Sequence, residues 1–173
     1  NLLRALAELG KRHEYFVFTN RETGASLVPQ AANFFCEQQN LHASNRPARL
    51  LWEQFVLPRE ARRLQLNVLL NPGFTAPLRS PCPNVTVFHD LQHKRHPEHF
   101  RWWDLPFWRF FLYVSATNSK RLIAVSEATK NDLVSFYDLP PGMISVIPHG
   151  VNPCYFKISR WPDERRPYVL CVS

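Results

Sequence analysis

The stretch from Val85 to Phe100, VTVFHDLQHKRHPEHF, constrains this chain most. An apolar run, Val85 to Phe88, stops abruptly at His89-Asp90. It gives way to a polar segment with four histidines, two cations and a Pro-Glu pair. Strand-like pattern passing into polar chemistry is what the carboxyl end of a strand in an open α/β sheet looks like, and ligands of such sheets bind there.

The rest of the chain alternates in the same way. Leu2, Leu3, Leu6 and Leu9 share one helical face, with Gly10 placed as a C-cap. Residues 14–19 read as a strand, and residues 33–36 as another inside an ambiguous segment. Residues 46–66 read as helical, with Pro58 breaking or kinking the run. Further strands are expected over 67–70, 85–88, 121–125 and 143–147. A helix over 127–137 has Ser126 as its N-cap. Strands and helices alternating at this spacing imply a mostly parallel sheet with right-handed crossovers. The expected class is α/β, a Rossmann-like mostly parallel sheet with helices on both faces.

Residues 101–118 form the most hydrophobic segment, crowded with Trp102, Trp103, Phe107, Trp108, Phe110, Phe111 and Tyr113. Two readings compete: a helix lying on a membrane surface, and a helix buried against the sheet. The buried reading is preferred, because a membrane-surface helix should carry a strongly cationic polar face. Only Arg101 and Arg109 supply that here.

Composition narrows the classes. A chain of 173 residues, 45% hydrophobic and 20% charged, can bury a real core and is not disordered. Fifteen prolines against five glycines imply many fixed turns. The net charge of +7 suits phosphorylated ligands, anionic lipid or nucleic acid. A nucleic-acid-binding domain is the weaker reading, because the aromatics sit in apolar runs rather than between cations. The four cysteines form no C-x-x-C pair and are expected to be buried free thiols in a reducing compartment. No apolar run approaches the roughly 20 residues of a membrane span. The chain opens on a helical pattern and closes on a strand pattern, YVLCVS, which reads as a piece of something longer.

His89 and Asp90 are the first candidates for chemistry, as an imidazole that titrates near neutrality beside a carboxylate. The spacing of His89, His93, His96 and His99 would make a metal face on a helix. Pro97 opposes a regular helix there, and no Cys or acid completes a known zinc spacing, so no metal is expected. No P-loop, G-x-G-x-x-G or G-x-S-x-G is present. Ser126 is an N-cap whose helix terminus can also receive an anionic group. Gly150, after Pro148-His149, is either a plain turn or a place where backbone approaches a ligand closely.

In order, VTVFHDLQHKRHPEHF, RLIAVSEATKNDLVSFYDLPPGMISVIPHGVNPCYF and RPYVLCVS closely resemble the family 4 glycosyltransferases of the GT-B fold. The likeness is densest from Asn67 to Phe156. It implies residues 1–152 as a Rossmann-like acceptor-side domain lacking its first strand, 153–167 as an interdomain linker, and 168–173 as the first strand of a donor-binding domain. It implies transfer of a hexose, mannose-like, from a nucleotide sugar such as GDP-mannose to a glycan or lipid-linked acceptor. Configuration would be retained, and no cofactor or metal would be required. His89 and Asp90 match the catalytic positions. Ser126, Gly150 and Val151 fall on the donor side, and Arg95, His96 and Arg101 on the acceptor side. His149 and Asn152 depart from the Asn and Asp usual at those positions. The resemblance also implies a cytoplasmic protein, in peripheral contact with an anionic inner-membrane face, that takes no nucleic acid. The rival enzyme class is a GT-B-like sugar-nucleotide epimerase or phosphorylase.

Overall fold

The computed structural model describes residues 2–151. The expected linker and final strand, with Cys154 and Cys171, lie outside the described residues.

Helix α1 (Leu2–Leu9) closes at Gly10, whose N–H reaches the Leu6 carbonyl at 2.7 Å. A Cβ on Gly10 would overlap the Tyr15 hydroxyl, so the close approach needs glycine. Strands β1 (Tyr15–Thr19) and β2 (Phe34–Gln38) pair in parallel. The pairs Tyr15–Phe34 and Phe16–Phe35 stack across the ladder, with ring centroids 4.5 and 5.0 Å apart.

Helix α2 (Arg46–Leu51) starts at Asn45, whose side chain accepts the Ala48 N–H at 3.1 Å. A π turn, Trp52–Val56, then leads into α3 (Leu57–Arg63). Proline lacks an N–H and crowds the carbonyl four residues back. The chain absorbs Pro58 by widening the turn before it, and the helix stops short of Leu66.

Strands β3 (Leu69–Asn71), β4 (Asn84–Phe88), β5 (Arg121–Ala124) and β6 (Ile144–Val146) form a second sheet in the order 3-4-5-6, every pair parallel. A Pro-rich connection joins β3 to β4. Short helix α4 (Gln92–Arg95), a 3-10 turn over Pro97–His99 and helix α5 (Leu105–Asn118) lead to β5. Helix α6 (Glu127–Tyr137) joins β5 to β6 and ends on Asp138 in the left-handed region, φ 53°. The expected single sheet is thus two among the described residues. Side chains link them: Phe18 of β1 and Trp52 pack against Leu57, Ala61 and Leu69.

The main core lies between the second sheet, α5 and α6. Phe88, Leu91, Leu122 and Leu133 are fully buried, and each such side chain stabilises the fold by about 1.5–3 kcal/mol. A polar network crosses the sheet's amino end. Thr86 bonds Ser119 at 2.7 Å, Ser119 donates to the Ser115 carbonyl, and the Ser115 hydroxyl accepts the Ala76 N–H at 3.0 Å. The Pro-rich connection is pinned to the layer by this network.

Two expectations need correction. Helix α5 is buried on one side only, through Leu112, Ser115 and Ala116, while much of its aromatic complement faces solvent. Cys36 is exposed rather than buried, its thiol 3.6 Å from the Thr19 hydroxyl, and Cys82 is half-buried. Among the described residues no helix is long and apolar enough to cross a membrane.

Candidate functional site

Because β3 to β6 are parallel, the segments that leave their carboxyl ends emerge at one edge. These segments are Pro72-Gly73-Phe74, His89-Asp90, Val125-Ser126 and Ile147-Pro148-His149.

His89 is half-buried among them. Its Nε2 lies 3.0 Å from the Pro72 carbonyl oxygen, which can only accept, so Nε2 carries a proton. In the neutral ring Nδ1 is then an acceptor, and it lies 3.3 Å from Nε2 of His149, which donates. The two imidazoles stack with centroids 5.2 Å apart. Phe74 meets the same ring edge-on at 5.1 Å. Phe74 itself stands at φ 43°, a conformation that costs a bulky residue about 1–3 kcal/mol, and its N–H reaches the Val87 carbonyl at 3.1 Å.

The loop that carries Phe74 is held from the π turn. Gln54 donates to the Ala76 carbonyl at 3.2 Å and accepts the Leu78 N–H at 2.8 Å. Glu53 accepts from the Thr75 hydroxyl at 2.7 Å. Burial pushes the Glu53 carboxyl above its usual range, against the pull of the Thr75 and Gln54 hydrogen bonds and the Arg49 charge.

Helix α6 is joined to the end of β4. The Ser126 hydroxyl accepts the Thr129 N–H at 3.1 Å, and the Thr129 hydroxyl donates to the His89 carbonyl at 2.9 Å. Ser126 is the expected cap. The first N–H groups of α6 have no acceptor within the helix and attract anions, although Glu127 in the first turn opposes one. Gly150 and Val151 are exposed at the same edge, and nothing lies within 4 Å of where a Gly150 Cβ would stand.

Asp90 is exposed and accepts the Gln92 N–H at 3.1 Å, so it serves the start of α4. No hydrogen bond joins it to His89. Each of the three residues expected on the acceptor side has a partner of its own. The Arg95 guanidinium is held by Asp132 of α6 through two bonds, 2.7 and 2.5 Å. His96 pairs with Glu98 at 3.1 Å and stacks on His99. Arg101 lies 5.7 Å from the centre of the Trp103 ring.

The four-histidine pattern dissolves in three dimensions. His93 is 2% exposed and its Nε2 lies 2.8 Å from the Tyr137 hydroxyl. Burial, followed by the charges of Lys94 and Arg109, lowers its pKa to about 4. Burial raises that of Tyr137, so a neutral phenol donates to a neutral imidazole. Among the described residues no group of three His, Cys, Asp or Glu side chains is placed to hold a metal. His149 was missed as a site residue, though the signal existed: β4 and β6 both run into a histidine at one edge.

A shallow cleft of about 410 Å³ opens at the opposite, amino-terminal edge, lined by Leu78, Arg79, Asn84 and Asn118. It contains none of the strand-end residues above, so the His89 edge remains the better site.

Residues 1–154 match the family model described as Glycosyltransferase Family 4. Among solved structures, a glycosyltransferase from Rickettsia africae ESF-5 matches at 17% identity with a TM-score of 0.49. The match covers 94% of this chain and 41% of that one, so the chain spans well under half of that protein's length. No curated protein matches the chain.

Proposed function

The chain belongs to Glycosyltransferase Family 4, and from that premise we propose that it is the acceptor-side half of a retaining hexosyltransferase with His89 at its reaction centre. The donor would be a nucleotide sugar of the GDP-mannose kind, and the acceptor a glycan or lipid-linked sugar. The observation that carries the reading is the held imidazole at a four-strand carboxyl edge. Nε2 donates to the Pro72 carbonyl, and Nδ1 faces the side where His149 now stands.

In this reading a sugar hydroxyl of the donor takes the place of His149 and donates to Nδ1. Ser126 and the start of α6, with the Gly150–Val151 backbone, form the near wall of the donor site. The rest of that site belongs to chain beyond the described residues. Transfer runs by front-face displacement. The bond from the anomeric carbon to the leaving phosphate breaks, the acceptor oxygen bonds to that carbon from the same face, and the acceptor proton passes to the departing phosphate. Asp90 is assigned a supporting role, because it sets the start of α4 beside His89. A cytoplasmic location suits a nucleotide-sugar donor.

The test is product analysis with the intact enzyme and a panel of nucleotide sugars. Formation of a glycoside with the donor's anomeric configuration supports the reading. Interconversion of the nucleotide sugar would instead make the protein an epimerase, and phosphate-dependent cleavage of a glycoside would make it a phosphorylase.

A further inference from the structure

Two features of the loop after β3 exceed what a connection needs. Phe74 stands at φ 43°, where glycine sits without cost and a bulky residue is strained, while its neighbour Gly73 does not take that conformation. The loop also has no regular structure over residues 72–78, yet it is tied down from the π turn, α5 and β4.

The Gln54 side chain lies along the loop as a neighbouring strand would. Its Nε2 donates to the Ala76 carbonyl at 3.2 Å, and its Oε1 accepts the Leu78 N–H at 2.8 Å. Only this orientation of the amide serves, since turning it over would set carbonyl against carbonyl and N–H against N–H. Glu53 takes the Thr75 hydroxyl at 2.7 Å and also receives the Gln54 amide at 3.0 Å. Both residues stand on the π turn Trp52–Val56. From the other side, Ser115 of α5 accepts the Ala76 N–H and Val87 of β4 accepts the Phe74 N–H, at 3.0 and 3.1 Å.

The loop so held meets His89 at two points. The Pro72 carbonyl accepts from Nε2 at 3.0 Å. The Phe74 ring stands edge-on to the imidazole, centroids 5.1 Å apart, with Phe88 behind it at 6.1 Å. One contact anchors a ring nitrogen and the other blocks a direction of swing, so Nδ1 stays turned toward His149. We propose that Phe74 is a positioning residue for His89, and that Gln54 positions Phe74 by holding its loop. This rests on the transfer reading above and deepens it. An imidazole misplaced by about an ångström loses much of its effect on turnover, and a strained backbone fixed by surrounding bonds prevents that displacement.

The experiment uses the intact enzyme with Gln54→Ala, Phe74→Leu and His89→Ala. The first readout needs no substrate. Nitrogen-15 NMR of the histidine rings is recorded in mildly alkaline buffer, where imidazoles are neutral, and His89→Ala identifies the His89 signals. These should be those of the Nε2–H tautomer in the parent and should move toward a mixture of tautomers in Gln54→Ala. The second readout is turnover with GDP-mannose, or with the nucleotide sugar that product analysis selects. Gln54→Ala and Phe74→Leu should each lower kcat by about tenfold or more, with the donor KM within about twofold and the melting temperature close to the parent's. Phe74→Gly, which removes the ring and relieves the backbone, serves if Phe74→Leu does not fold. Parent-like kcat in these variants beside a slow His89→Ala overturns the positioning role and leaves the transfer reading standing. Parent-like turnover by His89→Ala overturns both. A raised KM at unchanged kcat overturns the positioning role by making the loop a binding surface, and so does a lowered kcat with an unmoved His89 tautomer.

Discussion

The buried His93–Tyr137 pair makes the stability of this domain depend on pH in a way that can be calculated. An unfolded histidine titrates near 6.5, and folding lowers His93 to about 4. A histidine held neutral stabilises the fold fully above its unfolded pKa. As pH falls, the unfolded chain takes up the proton first, so stability is lost between about 6.5 and about 4. At about pH 5 the unfolded imidazole is almost wholly protonated and the folded one about a tenth so. The difference is about 2 kcal/mol, approaching about 3 kcal/mol below pH 4. Urea titrations followed by tryptophan fluorescence at about pH 7.5 and about pH 5 measure it. His93→Phe with Tyr137→Phe removes both the titrating ring and the hydroxyl it bonds. The double variant should lose about 2 kcal/mol less than the parent over that range, the other histidines titrating alike in both. Equal acid losses in the two proteins would refute the assignment of His93 as a neutral core histidine.

Two other substitutions test the supports of the site. Ser126→Ala removes the cap of α6 and loosens the link through Thr129 to the His89 carbonyl, so it should cost about 1 kcal/mol in chemical denaturation. Leu122→Ala empties a fully buried position at the centre of the second sheet and should cost about 2–5 kcal/mol, read as a lowered urea midpoint with unchanged slope.

Much of this architecture was legible along the chain because its signals are local. Buried strands of a parallel sheet read as short apolar runs, and each ends where a Pro, Asn, Ser or His begins. The Ser126 cap and the Gly10 stop depend on neighbours within a few residues, so they too were visible. What escaped was set by partners far away in sequence. His149 meets His89 across 60 positions, a pairing decided by the β4–β5–β6 order. His93 lies in a polar stretch, yet it is buried because Tyr137, 44 positions on, supplies a hydroxyl and a covering ring. Arg95 likewise meets a partner 37 positions on, Asp132 of another helix. In α5, apolar residues occur all round the helix, so periodicity could not say which side would be covered. The sequence marks Pro58 as a break or kink, but the clamping of the Phe74 loop by the π turn before it depends on Gln54 reaching 22 and 24 positions ahead.

The central claim is that His89 works at the reaction centre rather than merely ending a strand. Turnover of the intact enzyme should therefore be compared between the parent and His89→Ala, with folding checked by thermal denaturation. Loss of the held imidazole should lower kcat by about a hundredfold or more, with the melting temperature changed little, since the ring is only half-buried. Undiminished turnover in a folded His89→Ala enzyme would remove His89 from the site and contradict the account.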